Sequence, residues 1–273
     1  MINLPEPLLR VDHLSKTYLE RHAVTKAKVV VSAFTDVNLT IYPGTTTALV
    51  GESGAGKSSL ARSLALLERP TQGEIWFEGV ELLSLGEKGR VGMRQQIQMI
   101  FQDPTSAMNP RMTALEIIRE PLVIQRQGTS TQRRAQALDL MEEVGLPREW
   151  EGKTALEFSG GQRQRLAIAR ALSLEPKLLI LDEALSNLDI ANQEMILKLL
   201  KEVQATHPLA YLHISHDLRL VSRFAEELAV MQAGKIVEQG GAAKMMAHPI
   251  HPYTQELFAA MPSLESICEE RFA

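Results

Sequence analysis

The sequence predicts an α/β chain with a mainly parallel core sheet, an antiparallel β layer beside it and an inserted α-helical subdomain. Three observations predict it. Residues 47–50 (Thr-Ala-Leu-Val) are a short apolar run that reads as a buried strand, followed by a glycine-rich turn and a helical stretch over 57–67. Further runs of strand length occur at 178–181, 210–215 and 227–231, and runs this apolar suit parallel strands covered on both faces. Alternating stretches in 8–41 and 74–81 suit antiparallel pairing, whereas 104–158 turns to helical spacing. In that helical region Thr129-Ser130-Thr131-Gln132 has the pattern of a capping box. It opens a helix in which Ala135, Leu138, Met141 and Val144 recur at helical spacing, and Gly145 ends it.

The turn after the first core strand carries the chemistry. Gly51-Glu52-Ser53-Gly54-Ala55-Gly56-Lys57-Ser58-Ser59 has the form G-x-x-x-x-G-K-S, in the order strand, loop, helix. Glycines there let backbone N–H groups close around phosphate oxygens, and the helix N-terminus favours an anion. Lys57 bridges the terminal phosphates as a point charge, and the Ser58 hydroxyl suits Mg²⁺. The pattern therefore points to a nucleoside triphosphate.

Its companions follow in chain order. The strand at 178–181 ends in Asp182 and Glu183, placing two carboxylates at its C-terminal tip; Asp182 suits Mg²⁺ and Glu183 suits a base that polarises an attacking water. His216 and Asp217 follow the strand at 210–215. Ser215, His216 and Asp217 do not form a hydrolytic relay, because neighbours on an extended chain point in opposite directions. Gln102 follows a short strand at 96–101, Phe158-Ser159-Gly160-Gly161-Gln162 precedes a helix running to about 174, and Ser186-Asn187-Leu188-Asp189 follows the paired acids.

Phe158 to Gln162 resembles the L-S-G-G-Q signature of ATP-binding cassette (ABC) proteins, with Phe in place of Leu. With the other motifs, the chain resembles the ATPase subunit of an ABC transporter from about residue 9 to 262. The resemblance implies a RecA-like P-loop NTPase core and Mg²⁺-dependent ATP hydrolysis. Gln102 then matches the Q-loop glutamine, which reaches Mg²⁺ or the water when the site closes, and His216 the switch histidine at the γ-phosphate. Asp189 stands in the D-loop, where Asn187 departs from the usual Ala, and Ala184 stands where Pro is frequent. Tyr18 is the candidate for stacking on adenine, with Tyr42 as a competing ring. The resemblance also implies two chains paired head to tail, so that Ser159, Gly160, Gly161 and Gln162 of one meet the ATP held by 51–59 of the other.

The resemblance implies one nucleotide-binding domain over 8–262, a helical subdomain at about 104–165 where permeases dock, and a C-terminal extension at 240–273. His248-Pro249-Ile250-His251-Pro252-Tyr253-Thr254 is similar to the H-P-Y-T segment of ATPases that drive import of peptides, nickel or metal chelates. The implied partners are a second ATPase chain, identical or not, two permeases and, indirectly, an extracytoplasmic solute-binding protein. The implied place is the cytoplasmic face of the inner membrane, peripherally bound. A cytosolic ABC ATPase of DNA repair or translation is the alternative, although the long insertions typical of those proteins are absent.

Composition agrees. With 273 residues, 45% hydrophobic and 23% charged, the chain has the makeup of a globular protein. A formal charge of −4 with no basic block argues against nucleic acid as partner. No apolar run has membrane-spanning length, and residues 1–7 lack the pattern of a secretory leader. Cys268 alone allows neither an internal disulfide nor a cysteine-ligated iron–sulfur cluster. Arg163, Arg165 and Arg170 read as a solvated or ion-paired helix face, and the proline-flanked His248 and His251 read as a turn rather than a metal site.

Overall fold

The structure, a computed structural model, describes residues 6–21 and 28–260; Cys268 lies outside the described residues. In chain order the elements are β1 (Leu9–Arg21), β2 (Lys28–Ile41), β3 (Thr46–Val50), α1 (Lys57–Leu64), β4 (Gln72–Phe77), β5 (Val80–Glu81) and α2 (Glu87–Gln96). Next come β6 (Ile97–Ile100), α3 (Ala114–Ile124), α4 (Ser130–Glu143), α5 (Gly160–Leu172), β7 (Leu178–Asp182), α6 (Ile190–Thr206) and β8 (Ala210–Ser215). The chain closes with α7 (Leu218–Phe224), β9 (Glu227–Gln232), β10 (Lys235–Gly241), α8 (Ala242–Ala247) and α9 (Pro252–Ala259). They fall into two compact units, one formed by residues up to Arg90 and from Tyr211 onward, the other by Val91–Ala210.

In the first unit β2, β1, β4 and β5 form an antiparallel sheet in that order. The second sheet of this unit is built on β3, which pairs in parallel with both β8 and β9, so its residues are covered from all sides. This explains the unbroken apolar runs, since full burial of each Leu, Ile or Val side chain contributes roughly 1.5–3 kcal/mol. β10 lies antiparallel on β9, joined through Ala233 and Gly234 at φ 46° and 80°. Two successive positive φ values are what a tight hairpin turn needs to match strand twist. The apolar pattern did not announce β10, because only its turn dipeptide carries a signal.

Helix α1 stops at Leu64, three residues before the expected end. Leu66 adopts φ 57°, and its N–H and that of Leu67 reach back to the Ser63 and Arg62 carbonyls at 3.1 and 2.9 Å. That is the double bond of a Schellman stop, which glycine usually supplies.

In the second unit β6 and β7 pair in parallel, and α3, α4 and α5 pack on one another. The capping box at Thr129 and Gln132 forms as expected. The buried stripe of α4 is Ala137, Leu138, Leu140 and Met141, continued by Val144, whereas Ala135 is exposed. The expected stripe was therefore right in period and wrong at its first member, because Ala135 lies off the face shared by 137, 141 and 144. Among the described residues no helix is long and apolar enough to cross a membrane.

Candidate nucleotide site

The first unit carries Tyr18, Gly51 to Ser59 and His216. Strand β3 ends at Val50 and the chain turns through Gly51, Gly54 and Gly56 at φ 150°, 82° and 102° before α1 begins. At two of these, space as well as φ demands glycine. A Cβ on Gly51 would lie 2.1 Å from the Met231 carbonyl oxygen of β9, and one on Gly56 would lie 2.3 Å from the Ala33 oxygen of β2. The loop is further tied by the Gly234 N–H, which donates to the Ala55 carbonyl at 3.0 Å. The Lys57 side chain is buried inside this turn, and its Nζ donates to the Gly51 and Glu52 carbonyls at 2.7 and 2.8 Å. The ammonium is thus held by carbonyl oxygens, ligands that a phosphate oxygen can replace.

Tyr18 on β1 is half-buried beside this loop. Its hydroxyl donates to a Glu68 carboxylate oxygen and lies 3.4 Å from Ser59 Oγ, while the Lys16 ammonium sits 4.9 Å from the ring centroid. Burial works to raise the Glu68 carboxyl, but the hydrogen bonds of Tyr18 and Arg62 and the charges of Arg62 and Lys16 outweigh it, holding Glu68 below the usual range. Tyr18 is therefore fixed in position by its hydroxyl. Tyr42 takes no part in that cluster, and its carbonyl accepts from the Thr45 hydroxyl.

His216 is exposed at the end of β8. The two residues flanking it make a local turn: Ser215 Oγ accepts the Asp217 N–H at 3.0 Å, and the Asp217 carboxylate caps α7 through the Arg219 N–H at 2.9 Å. Burial pushes the Asp217 carboxyl up, and hydrogen bonds and charge from Arg219 more than offset it. Asp217 is thus occupied by Arg219 and the helix start, in keeping with no relay at this point.

The second unit carries Gln102, Ser159 to Gln162, Asp182, Glu183 and Asp189. Asp182 is the buried last residue of β7, only 7% exposed, and Glu183 follows at φ 48°. A left-handed glutamate is strained, and such strain persists where the surroundings impose it. Here Ser186 imposes it, donating to the Glu183 carbonyl from its N–H at 3.1 Å and its hydroxyl at 2.8 Å. Gln102 comes to the same place: its Nε2 donates to Glu183 Oε2 at 3.2 Å, and Asn187 Nδ2 donates to the Gln102 carbonyl at 3.3 Å. The candidate base, the glutamine and Asn187 therefore form one network, which no local pattern along the chain announces.

Ser159 caps α5, with Gln162 N–H donating to its hydroxyl at 3.4 Å while the Gln162 side chain accepts the Ser159 N–H at 2.9 Å. The reciprocal pair is a capping box, and it fixes both side chains at the helix N-terminus, where partial positive charge collects. Phe158, in place of Leu, is buried edge-on against Trp150 at 5.9 Å between centroids. A Cβ on Gly161 would lie 2.5 Å from Asn192 Oδ1, and Asn192 is held in turn by Asp189, which caps α6. Backbone hydrogen bonding from Asn192 leads the effects that hold the Asp189 carboxyl below its ordinary value. Of the arginines after the signature, Arg170 pairs with Glu120 at 2.9 Å and Arg165 donates to the Val144 carbonyl at 2.7 Å.

Residues 34–186 match the ABC transporter family profile, more than half the chain. The chain belongs to the ABC transporter ATPases. This ABC ATPase is 41% identical over 261 residues to the dipeptide transport ATP-binding protein DppF of Escherichia coli K12, a match covering 96% of this chain and 78% of DppF. It is 44% identical to the probable peptide ABC transporter ATP-binding protein y4tS of Sinorhizobium fredii, over 95% of this chain and 74% of that one. Its fold aligns with the dimeric post-hydrolysis state of the ATP-binding cassette MJ0796 bound to ADP and Pi, at a TM-score of 0.76, 27% identity, 86% of this chain and 98% of the other.

The donor chemistry of this ABC ATPase fits the groups its family implies. The glycines of 51–56 let the chain follow a positive-φ turn close against β9 and β2, the kind of turn whose backbone N–H groups take phosphates. Ser58, Gln102 and Asp182 offer only oxygen donors of the hard type that Mg²⁺ prefers, and among the described residues no group of three or more His, Cys, Asp or Glu could hold a metal ion by itself. His251 is engaged in a different way, its Nδ1 accepting the Tyr253 N–H at 3.2 Å as a helix cap. Two positions touching the nucleotide loop were missed from the sequence, Gly234 and Tyr253. Gly234 carries a turn signal; Tyr253 carries none for this contact.

Proposed function

We propose that this chain is the ATP-hydrolysing subunit of a peptide importer, bound peripherally at the cytoplasmic face of the membrane through two permeases and working as a pair of ATPase chains. The observation that carries the reading is identity above 40% to a dipeptide transport ATP-binding protein along nearly the whole chain, with every reactive position filled. Neither relative reported above is named for nickel, so peptides are the proposed cargo class. A DNA-repair or translation role has nothing specific in its favour.

In this reading the N–H groups of Gly51 to Ser59 hold the phosphates of ATP, and Lys57 exchanges its carbonyl ligands for phosphate oxygens. Tyr18 supplies the ring for adenine. Ser58 and Asp182 would hold Mg²⁺, with Gln102 as a further oxygen donor, and the ion would neutralise charge on the phosphate oxygens. Glu183 accepts a hydrogen bond from the attacking water and draws off its proton, with His216 orienting the γ-phosphate. Ser159, Gly160, Gly161 and Gln162 of a second chain close on the same ATP, supported by the dimeric state of the ADP-bound neighbour. Within one chain Asp189 of the D-loop holds Asn192 beside the signature glycine Gly161.

Glu183→Gln tests the reading. The amide keeps the shape and removes the base, so hydrolysis falls by about 10²–10⁴-fold while ATP binding persists and the paired state accumulates. A variant hydrolysing at the unaltered rate would refute the assignment of the base, and an active complex that moves neither dipeptides nor oligopeptides into vesicles would refute the cargo.

A further inference from the structure

We propose that Tyr253, in the C-terminal H-P-Y-T turn, is a positioning residue for the phosphate loop, acting on Lys57 through a single peptide group. The proposal rests on the reading of residues 51–59 as the ATP site. The Glu52 N–H donates to the Tyr253 hydroxyl oxygen at 3.0 Å, across 201 positions of sequence. The carbonyl of that same peptide group belongs to Gly51 and accepts from Lys57 Nζ at 2.7 Å. In a planar trans peptide the N–H and C=O point in opposite directions, so the two contacts grip one plate from its two sides.

The grip matters because the Gly51 peptide is otherwise easy to turn. Glycine at φ 150° occupies a region in which no Cβ resists rotation. When a triphosphate draws Lys57 forward, the Gly51 carbonyl loses its partner, and without the bond to Tyr253 the peptide is free to turn after the ammonium. Held by Tyr253, it stays, and the loop meets each nucleotide already shaped.

Tyr253 is itself placed from two directions. Its ring belongs to a buried cluster with Ala48 and Val50 of β3, Leu228 and Val230 of β9, and Phe258 of α9. Its turn is pinned by the Glu238 carboxylate of β10, which accepts the Ile250 and His251 N–H groups at 2.9 Å each. Strand β10 pairs with β9 and β9 with β3, the strand that delivers the loop. The C-terminal segment is thereby registered to the nucleotide loop by backbone hydrogen bonds as well as by packing.

Tyr253→Phe removes the hydroxyl and keeps the ring. In the full-length chain assembled with its partner subunits, KM for ATP and the dissociation constant of a fluorescent ATP analogue rise about fivefold, with kcat within about twofold, as expected for one lost hydrogen bond. Hydrogen exchange at the Glu52 amide speeds up, and the melting temperature without nucleotide moves by less than about 2 °C. The proposal is overturned if nucleotide affinity and Glu52 exchange are unchanged, or if affinity, kcat and melting temperature fall together, since then Tyr253 serves only the core. Lys57→Ala separates the two levels of the reading. If it still binds ATP normally, the loop itself is misassigned; if it loses ATP while Tyr253→Phe does nothing, only the role of Tyr253 fails.

Discussion

Acid destabilises this protein through one histidine on β8, the strand that leads to His216. His213 is fully buried in β8, packed edge-on against Phe224 at 5.7 Å, and its Nδ1 finds no hydrogen-bond partner among the described residues. Burial pushes its pKa from the ordinary 6.5 down to about 4, with the Asp217 charge pulling weakly the other way. Between those values the unfolded chain takes up a proton that the folded chain refuses. Stability therefore falls as the pH drops through this window and is fully reduced below about 4. At about 1.4 kcal/mol for each pH unit the loss is about 3 kcal/mol, most of it reached by pH 4.5. Urea unfolding of the wild type and of His213→Phe, run at constant ionic strength from pH 7 to 4.5, isolates it. The Phe ring keeps the contact with Phe224 and cannot titrate. The wild type should lose about 2–3 kcal/mol more than the variant over that range. A difference between the two that stays flat with pH, or opens the other way, would refute the argument.

Two glycines give contrasting outcomes. Gly56→Ala sets a Cβ 2.3 Å from a backbone oxygen at φ 102°, so neither the strain nor the overlap can be relieved by a side-chain movement. About 3 kcal/mol of stability is lost, a drop of roughly 6–12 °C in melting temperature, and ATP binding goes with it. Gly161→Ala meets only the tip of Asn192, 2.5 Å away, so calorimetry should find a loss under about 1 kcal/mol. On the proposed reading its ATPase rate should nevertheless fall by more than about tenfold, because Asn192 and the Asp189 cap that holds it must shift beside Ser159 and Gly160, the residues proposed to meet a second chain's nucleotide. Equal loss of stability in the two variants would show that close approach to a side-chain tip is as costly as approach to backbone.

Much of the site was legible because its signals are local. Glycines that adopt positive φ, acids at a strand tip and the capping residues Thr129 and Ser159 state their structural needs within a few positions, and the folded chain meets them there. Helix ends were less legible, since the Leu66 stop of α1 relies on a left-handed leucine rather than on the glycine that normally marks such a turn. The Pro249 and Pro252 pair read as a turn alone, yet Pro252 opens α9, where its missing N–H costs nothing.

The sequence by itself determined the nature of the protein: a phosphate loop, paired acids and a signature in the order of an ABC ATPase, each written in residues close together along the chain. Tertiary structure alone decided which side chains hold those motifs in shape. Gln102 reaches Glu183, Asn187 reaches the Gln102 carbonyl and Tyr253 reaches Glu52, across separations at which no periodicity or propensity carries information. Such contacts are set by which strands pair and in what register, and that is a property of the whole packed chain.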